Sequence, residues 1–512
     1  MTDIRDYGTD TQPRPPSLAD TVFRGALLQV ALRFVMRLLG LVSISVTARV
    51  LTPTDFGVIG SASLVTGLFA VLQQNGIFDW VVRKPSLGPD DLARAWSVNL
   101  GFNLLVASGI AAAAAPGAAF LNEPALAQVL RVSALMPLLA ALASPVPVLF
   151  MRDMQFGRDF RLRVTQKVID VVCVIAFCLA VRTYWGVIYG SLASRLIFLA
   201  YTYIAFPFRP RLVLRGAGAL LGFSVWAMAL SLASYLASVA DEVVVRRSSS
   251  TYVFGLYHIS RDLSRVLVIE LVAPAAAALL PGLARLQGED RRFTAAAVRA
   301  VGGAAIVAVG AGLGVSATAA EAIALLLGRQ WSDAVPFLVW LAIGVAAQTL
   351  AGLHRSILFA LGVPQWSAAL WFVRAAVLFA AAQVAVGQGG AIAVAIAFAA
   401  ASVLLTVFDY LVIFTRLGRP MAVLRFSVRP VLAGLAMTAV LLALPLPPGL
   451  PTIADAAIKI AVGGAVYGAT LGLAWWLAGR PQGPETALLN RLPGRLGRLA
   501  AAITRAPKPQ PG

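Results

Sequence analysis

Long apolar runs alternate with short polar loops along almost the whole chain. Each run is long enough to cross a bilayer as an α-helix, which takes about 20 residues for a hydrocarbon core of about 30 Å. The pattern therefore predicts fourteen membrane helices, lying roughly at 25–48, 57–78, 96–121, 126–150, 165–182, 185–206, 219–240, 252–280, 294–318, 335–361, 366–386, 390–414, 430–447 and 456–478.

Composition supports the same class of protein. Charged residues make up only 13% of the chain and hydrophobic residues 59%, whereas globular proteins carry about 25% charged residues. A soluble globule could not bury so much apolar surface. The prediction is an all-α polytopic membrane protein, and an even number of spans places both termini on one side of the membrane.

The net charge of +19 is explained by where the cations lie, since two thirds of the 42 Lys and Arg fall in alternate loops. Short cytoplasmic loops are rich in Lys and Arg, so both termini are expected in the cytoplasm and no nucleic-acid partner is expected. The rule assigns two sets of loops: cytoplasmic ones near Arg83, Arg158, Arg211, Arg291 and Arg419, and periplasmic ones near Thr54, Glu123, Ser249 and Asp333.

A short motif occurs twice and indicates an internal repeat. Arg49 is followed seven residues later by Phe56-Gly57, and Arg247 by Phe254-Gly255 at the same spacing. Each copy lies between two apolar runs, and six runs separate the copies. We therefore expect two lobes of six membrane helices each.

The repeat predicts the domain organisation. The first lobe would span 23–206 and the second 219–414, with the basic cytosolic linker 207–218 between them. Outside the lobes, the sequence predicts a cytosolic tail at 1–22, a loop with an additional helix pair at 415–478 and a basic cytosolic tail at 479–512.

Arginines within the apolar runs are the strongest candidates for a function. Such a residue costs several kcal/mol unless it reaches the interface, meets a partner or lines a wet cavity. Eight residues share this position: Arg33, Arg37, Arg131, Arg195, Arg261, Arg265, Arg355 and Arg374.

Spacing divides these arginines into pairs and single residues. Arg33 and Arg37 are four residues apart and share one helix face, with Arg37 lying too deep to reach the interface easily. Arg261 and Arg265 repeat this spacing, but Asp262 and Glu270 are close by, so structural ion pairs remain open there. The other four arginines could instead extend to the membrane surface.

Intramembrane carboxylates are fewer and could relay protons or bind a coupling cation. The candidates are Asp170, Asp262, Glu270 and Asp409. The chain has only two histidines and two cysteines, from which neither a Ser-His-Asp set nor a metal site can be assembled. We therefore expect no enzymatic activity, no metal and no cofactor.

A cationic interior between two lobes is what an anionic, amphiphilic solute would require. Arginine binds phosphate in charge-assisted, often bidentate contacts. Transporters with repeated lobes commonly bind their substrates near the midplane, between the repeats. The residues thus favour translocation of a phosphate-bearing or acidic solute.

The first hairpin, ARVLTPTDFGVIGSASLVTGLFAVLQQNGIFDWVVRKP, resembles the opening of polysaccharide transporters and oligosaccharide flippases of the MOP exporter superfamily. Two further stretches, Met151–Arg163 and Ala240–Tyr257, also resemble this family, and the layout of fourteen spans extends the likeness over nearly the whole chain. The residues that carry the motif in the first hairpin are Arg49, Leu51, Pro53, Phe56, Gly57, Gly76 and Arg83-Lys84.

The resemblance implies a flippase that moves undecaprenyl-diphosphate-linked oligosaccharide across the bacterial inner membrane for O-antigen, capsule or exopolysaccharide export. It implies a V-shaped pair of lobes, like that of the MATE transporters, around a cationic chamber. It also implies the lipid-linked oligosaccharide and the bilayer as partners, with a polysaccharide polymerase and export machinery as further ones.

Three alternative functions stay open at this stage. The multidrug antiporters of the same superfamily rely on carboxylates in their lobes, and two arginines without a carboxylate in the first helix count against them. The flippases of peptidoglycan precursors also have a cationic chamber and are harder to distinguish. A non-transporting scaffold of an export complex would tolerate the loss of the buried arginines.

Overall fold

The computed structural model describes residues 18–73, 77–88, 90–214, 225–284, 286, 290–445, 447 and 449–480. The regular elements in these residues are helices, together with a 3-10 turn at Arg329–Ala334. The helices are α1 (Leu18–Val50), α2 (Pro53–Gln73), α3 (Ile77–Arg83), α4 (Asp91–Ala112), α5 (Ala114–Phe120), α6 (Ala125–Ser133), α7 (Leu135–Leu142), α8 (Val148–Arg152), α9 (Phe156–Val181), α10 (Tyr184–Ala205), α11 (Val225–Ser248), α12 (Thr251–Ala284), α13 (Asp290–Ala317), α14 (Ala319–Leu326), α15 (Val335–Ala351), α16 (His354–Ala360), α17 (Pro364–Arg416), α18 (Ala422–Ala443) and α19 (Thr452–Leu477).

Each apolar run predicted from the sequence overlaps at least one of these helices. Eleven helical segments within the described ranges are long and apolar enough to cross a membrane. The all-α, multi-pass membrane class is therefore confirmed. The count of fourteen stays a prediction, because α11 and α12, which carry several charged residues, are not among the eleven, and α17, which covers two predicted spans, is counted once.

Helix α2 begins at Pro53, where the side chains of Thr52 and Asp55 cap its first turn. The Asp55 carboxylate accepts from the Thr52 backbone N–H at 3.0 Å and from its hydroxyl at 2.6 Å. In return, the Asp55 backbone N–H donates to the Thr52 hydroxyl oxygen at 3.3 Å. This is a capping arrangement, and Pro53 occupies the first helical position, where its missing N–H costs nothing. Asp55 also accepts from the backbone N–H of Tyr184 at 2.9 Å, which fixes the start of α10 beside the start of α2.

Helix α17 contains both of the predicted spans 366–386 and 390–414. Its helical geometry breaks at Gly389 and Gly390, and Gly390 has φ 63° and ψ −150°, a conformation that is essentially restricted to glycine. Arg374 and Asp409, on either side of the break, are in contact. The element is therefore an antiparallel helical hairpin with a very short turn.

The N-terminal half of the chain, α1–α10, packs around α2, α4 and α6. Helices α9 and α10 approach closely, since a side chain at Gly186 or Gly190 would collide with the backbone of α9. Helix α1 packs mainly against α9, and only 6% of its membrane segment is buried. Much of α1 is thus open to lipid or to an aqueous cleft.

The C-terminal half, α11–α19, packs α11 against the α17 hairpin, and α13 between α12, α15 and α18. Helices α18 and α19 form a pair that contacts α13 and α14, so the additional helix pair is attached to the C-terminal half. Residues 1–17 of the predicted N-terminal tail, 215–218 of the predicted linker, Gly76 of the motif and 481–512 of the predicted C-terminal tail lie outside the described residues.

Candidate functional site

The two copies of the repeated motif pack against each other. A side chain at Gly57 would lie 2.1 Å from the carbonyl oxygen of Thr251, and one at Gly255 would lie 1.8 Å from the carbonyl oxygen of Pro53. Thr251 precedes Gly255 by four residues, as Pro53 precedes Gly57. The contact is therefore symmetric, as an internal repeat predicts, and only glycine allows the backbones of α2 and α12 to approach this closely.

A buried ion pair joins the two halves beside these glycines. Arg246 of α11 is 2% exposed and donates to the carboxylate of Glu123 at 2.7 Å. The same carboxylate accepts from the hydroxyl of Thr251 at 2.6 Å, and Arg246 also donates to the hydroxyl of Ser61 at 2.9 Å. We call the contacts of Gly57, Gly255, Glu123, Arg246, Ser61 and Thr251 the seal.

Further contacts extend the seal to neighbouring helices. The Trp331 indole donates to the carbonyl oxygen of Ala48 at 2.7 Å and packs edge-on against Phe56. Arg49 donates to the carbonyl oxygen of Leu325 at 2.9 Å. Arg247, in the second copy of the motif, lies over the ring of Phe120 at 4.6 Å.

The four loops predicted to be periplasmic meet at the seal. Thr54 lies in the first turn of α2, and Ser249 lies between α11 and α12. Glu123 belongs to the seal, and Asp333 accepts a hydrogen bond from Tyr252 at 3.0 Å. The loops that are poor in Lys and Arg in the sequence are therefore close together in space. Which side of the membrane they face stays a prediction.

A second polar cluster lies deeper, between α11 and α12. Arg261 is fully buried, donates to Asp241 at 2.9 Å and stacks on the Phe398 ring at 3.6 Å. Arg265 is partly exposed and donates to Glu242 at 3.0 Å and to Asp262 at 3.2 Å. Both arginines thus have carboxylate partners, and for Arg261 the partner is on another helix instead of among its sequence neighbours.

A third cluster connects the two helices of α17. Arg374 is fully buried and donates to Asp409 at 2.6 Å and to Thr406 at 3.3 Å. His354 lies 3.7 Å from the same carboxylate, without a hydrogen bond to either ring nitrogen in the described part of the chain. The ion pair of Arg374 and Asp409 neutralises two charges inside the C-terminal half.

Four other candidate arginines are less deeply buried. Arg33 is exposed, and Arg37 is partly buried near the middle of the membrane segment of α1. Arg131 of α6 is exposed, and so is Arg355, whose guanidinium lies 5.3 Å from the Phe359 ring. Exposed arginines on membrane helices can face an aqueous cleft or extend to the surface.

Arg195 is the eighth candidate and lines a cavity in the N-terminal half. The cavity has a volume of about 600 Å³ and is formed by α2, α3, α4, α6, α7 and α10. Its polar lining consists of Ser63, Thr66, Gln73, Asn99, Asn103, Ser133 and Arg195. No carboxylate occurs in this lining, so far as the chain is described.

The carboxylate candidates for ion coupling fall in different surroundings. Asp170 accepts from Lys167 at 2.8 Å and from Ser194 at 3.4 Å. Asp262 is partly exposed beside Arg265, and Asp409 is buried beside Arg374. The side chain of Glu270 lies outside the described residues. Their role in coupling stays a prediction.

A largely apolar groove of about 630 Å³ runs along α19. It is lined by side chains of α12, α13, α14, α18 and α19, with small residues such as Gly310, Gly314 and Gly464 on its walls. Its charged members, Glu321 and Lys459, form an ion pair. The groove offers a long apolar surface within the C-terminal half.

The sequence did not single out Arg246 and Glu123, because each was assigned to a loop. The structure instead places Arg246 within α11 and buries it against a residue from the other half. One available signal was position, since Arg246 directly precedes the Arg247 of the repeated motif. Its partner, 123 residues away, could not be identified without the fold.

The fold and the seal define a class: helical, multi-pass membrane proteins in which two halves pack through a repeated motif. The lipid II flippase MurJ, in an inward closed conformation, has this fold, with a TM-score of 0.68 at 13% identity over 89% of this chain and 100% of MurJ. An inward-facing multidrug resistance MATE family transporter of the MOP superfamily gives 0.59 at 12% identity over 75% and 94%. The two-lobed fold expected from the sequence is thereby confirmed.

The chain belongs to the family described as polysaccharide biosynthesis protein, whose family model matches residues 46–336. The lipopolysaccharide biosynthesis protein WzxC of Escherichia coli (strain K12) is 22% identical over 413 residues, or 77% of this chain and 81% of WzxC. The succinoglycan biosynthesis transport protein ExoT of Rhizobium meliloti (strain 1021) is 23% identical over 304 residues. That match spans 59% of this chain and 62% of ExoT, which is less than two thirds of its length.

Proposed function

We propose that this protein is a flippase that translocates lipid-linked oligosaccharide units, carried on undecaprenyl diphosphate, across the bacterial inner membrane for the export of a surface polysaccharide. The observation that carries the proposal is the extent of the family match. Residues 46–336 include both copies of the repeated motif and every residue of the seal. The part of the chain that defines the family is thus the part that joins and closes the two halves.

The mechanism we propose is alternating access between the two lobes, 23–206 and 219–414, which linker 207–218 connects. The seal closes one end of the path, and its opening would release cargo on that side. A lipid-linked oligosaccharide needs an apolar surface for its prenyl chain and a polar path for its sugars. The groove along α19 supplies the first, and the space between the lobes would supply the second.

The arginines would divide into two roles in this mechanism. Arg33, Arg37, Arg195 and Arg265 retain exposed surface and would contact the anionic parts of the cargo. Arg131 and Arg355 are weaker candidates for the same role, because each is exposed on a short helix. Arg261 and Arg374 would be structural, since each is fully buried against a carboxylate.

The orientation that goes with this proposal has both termini in the cytoplasm and the seal at the periplasmic end. It is tested by labelling single cysteines in whole cells with a membrane-impermeant thiol reagent. We expect label on Ser249→Cys and none on Arg158→Cys. The opposite result would reverse the orientation.

The function is tested in a strain from which the gene has been deleted. We expect surface polysaccharide to disappear while lipid-linked oligosaccharide accumulates on the cytoplasmic leaflet. Restoration by the plasmid-borne gene is the control. A polysaccharide polymerase and other export proteins are the partners expected beside it in the membrane.

Each alternative function gives a different result in the same strain. Unchanged polysaccharide with raised sensitivity to cationic dyes would indicate a multidrug antiporter, with a carboxylate such as Asp170, Asp262, Glu270 or Asp409 coupling to an ion. Accumulation of peptidoglycan precursor would indicate a flippase of that pathway. Full export by variants lacking the exposed arginines would indicate a scaffold.

A further inference from the structure

Arg195, which lines the cavity in the N-terminal half, lies near the middle of a membrane helix. Arg195 is eleven residues after the first residue of α10 and ten before the last, so its backbone is about 15 Å from either end of the helix. A guanidinium at this depth cannot easily reach either membrane surface. Its charge therefore needs a neighbouring carboxylate, water or a ligand in the cavity.

Among the residues that the structure describes, none serves as a hydrogen-bonding counter-ion for Arg195. Within the described ranges, its guanidinium has neither a hydrogen bond nor an ion pair with a carboxylate. Asp170 is near enough to attract it, but that carboxylate accepts its hydrogen bonds from Lys167 and Ser194. By contrast, Arg246, Arg261 and Arg374 all have a carboxylate within 2.9 Å.

The rest of the polar lining consists of amides and hydroxyls. Gln73 donates to Asn103 at 3.1 Å, and Asn103 donates to the backbone and side-chain oxygens of Asn99 at 2.8 and 3.0 Å. Among the described residues, the side-chain oxygen of Gln73 and the side-chain nitrogen of Asn99 have no hydrogen-bond partner, so both can bind a ligand. Amides both donate and accept, as sugar hydroxyls do.

The single positive charge of the cavity indicates which part of an anionic cargo, the diphosphate or an acidic sugar, would bind there. The diphosphate of the cargo is esterified at both ends, carries two negative charges and is matched best by two or more cations, since phosphate oxygens form charge-assisted bonds with Arg and Lys. One guanidinium among neutral amides matches a ligand with one negative charge and many hydroxyls. The volume of about 600 Å³ falls within the usual range of small-molecule sites, which is about 300 to 1,000 Å³.

We infer that this cavity is a subsite for a sugar of the cargo that bears one acidic group, with the carboxylate on Arg195 and the ring hydroxyls on Gln73 and Asn99. The inference rests on the proposed function and deepens it by naming the chemistry of the glycan. A flippase with this subsite would favour acidic over neutral repeating units.

The test uses the full chain, purified in detergent, with a single thiol in the cavity. Ser63→Cys places that thiol in the lining, in a chain whose buried Cys173 and Cys178 are replaced by Ala. The rate of maleimide modification is measured with added glucuronate, glucose or inorganic pyrophosphate. Ser86→Cys, in an exposed loop, is the control thiol and should react at one rate throughout.

We expect glucuronate to slow the modification of Ser63→Cys at lower concentration than glucose, and pyrophosphate to have little effect. Adding Arg195→Gln should raise the glucuronate concentration needed by about tenfold or more, since a charge-assisted hydrogen bond is lost, and leave glucose unchanged. Asn99→Leu should weaken protection by both sugars. Arg182→Gln, an exposed arginine at the end of α9, should change neither.

Protection by pyrophosphate in place of glucuronate would assign the cavity to the diphosphate and overturn the inference. Absence of protection, or equal protection with and without Arg195, would also overturn it. Arg195→Lys serves if the Gln variant does not fold, and it should keep part of the preference. Polysaccharide export is measured separately, in the deletion strain that carries the unsubstituted gene. If glucuronate protects the thiol at position 63 but the strain exports no polysaccharide, the proposed function is refuted while the subsite is supported.

Discussion

Replacing Glu123 by Gln removes one charge from the buried pair that joins the two halves of the chain. Gln has nearly the same shape and can still accept from the hydroxyl of Thr251, which now bonds the carboxylate at 2.6 Å. Arg246 keeps its bond to Ser61 at 2.9 Å but loses its counter-ion. The substitution therefore tests the charge of the seal and not its packing.

The expected cost can be worked from the burial of the pair. Removing one partner of a buried ion pair costs about 3 to 5 kcal/mol. Glu123 keeps 8% of its surface exposed and Arg246 keeps 2%, so we take the lower end, about 3 kcal/mol. Because about 1.4 kcal/mol corresponds to a tenfold change in an equilibrium, the ratio of sealed to unsealed molecules should fall about a hundredfold.

The assay is a distance measurement by electron paramagnetic resonance between spin labels at Ala119 and Ser250, which lie in opposite halves near the seal. The unsubstituted chain should give one short distance, and Glu123→Gln a longer, broader population. Asp333→Asn is the matched control, because its bond to Tyr252 is exposed and should matter little. An unchanged distance distribution in Glu123→Gln would refute the idea that this charge pair holds the seal closed.

Three further predictions concern single positions. Gly255→Ala places a Cβ 1.8 Å from a carbonyl oxygen of α2 and should separate the halves in the same distance measurement, whereas Gly387→Ala, which meets no neighbouring atom, should not. Arg374→Gln leaves the carboxylate of Asp409 buried without its counter-ion and should lower the free energy of unfolding by about 3 to 5 kcal/mol. The measurement is denaturation in detergent. The control Arg355→Gln, at an exposed site, should change the free energy of unfolding by less than about 0.5 kcal/mol. Arg37→Ala should weaken cargo binding about ten- to a hundredfold and reduce polysaccharide export at unchanged protein abundance, and full export would exclude this residue from cargo binding.

Hydrophobic periodicity and loop charge predicted most of the fold, because both are properties of short stretches of chain. The apolar runs correspond to helices, and the loops grouped by charge meet at one end of the molecule. The repeated Phe-Gly motif was recognisable for a similar reason. Gly57 and Gly255 occupy equivalent positions in the repeat, and the contact between them requires glycine in both.

The pairing of charges could be predicted only where the partners are close in sequence. Arg265 contacts Asp262, three residues away, as their spacing suggested. Arg261 instead contacts Asp241 on another helix, and its sequence neighbours do not reveal this. Arg195 was a candidate in the sequence, but nothing in its sequence neighbourhood separated it from arginines that extend to the membrane surface. Only the cavity around it makes that distinction.

The ion pair within the α17 hairpin also bears on how the chain is inserted into the membrane during synthesis. A lone Arg or Asp at the centre of an inserting helix costs about 2.5 to 3.5 kcal/mol on the translocon scale. Arg374 and Asp409 are joined through the short turn at Gly389 and Gly390, so the two helices can enter the bilayer together with their charges already neutralised. We expect the translocon to hold the first helix until the second has emerged from the ribosome, and a longer turn at this point to reduce the yield of correctly inserted protein.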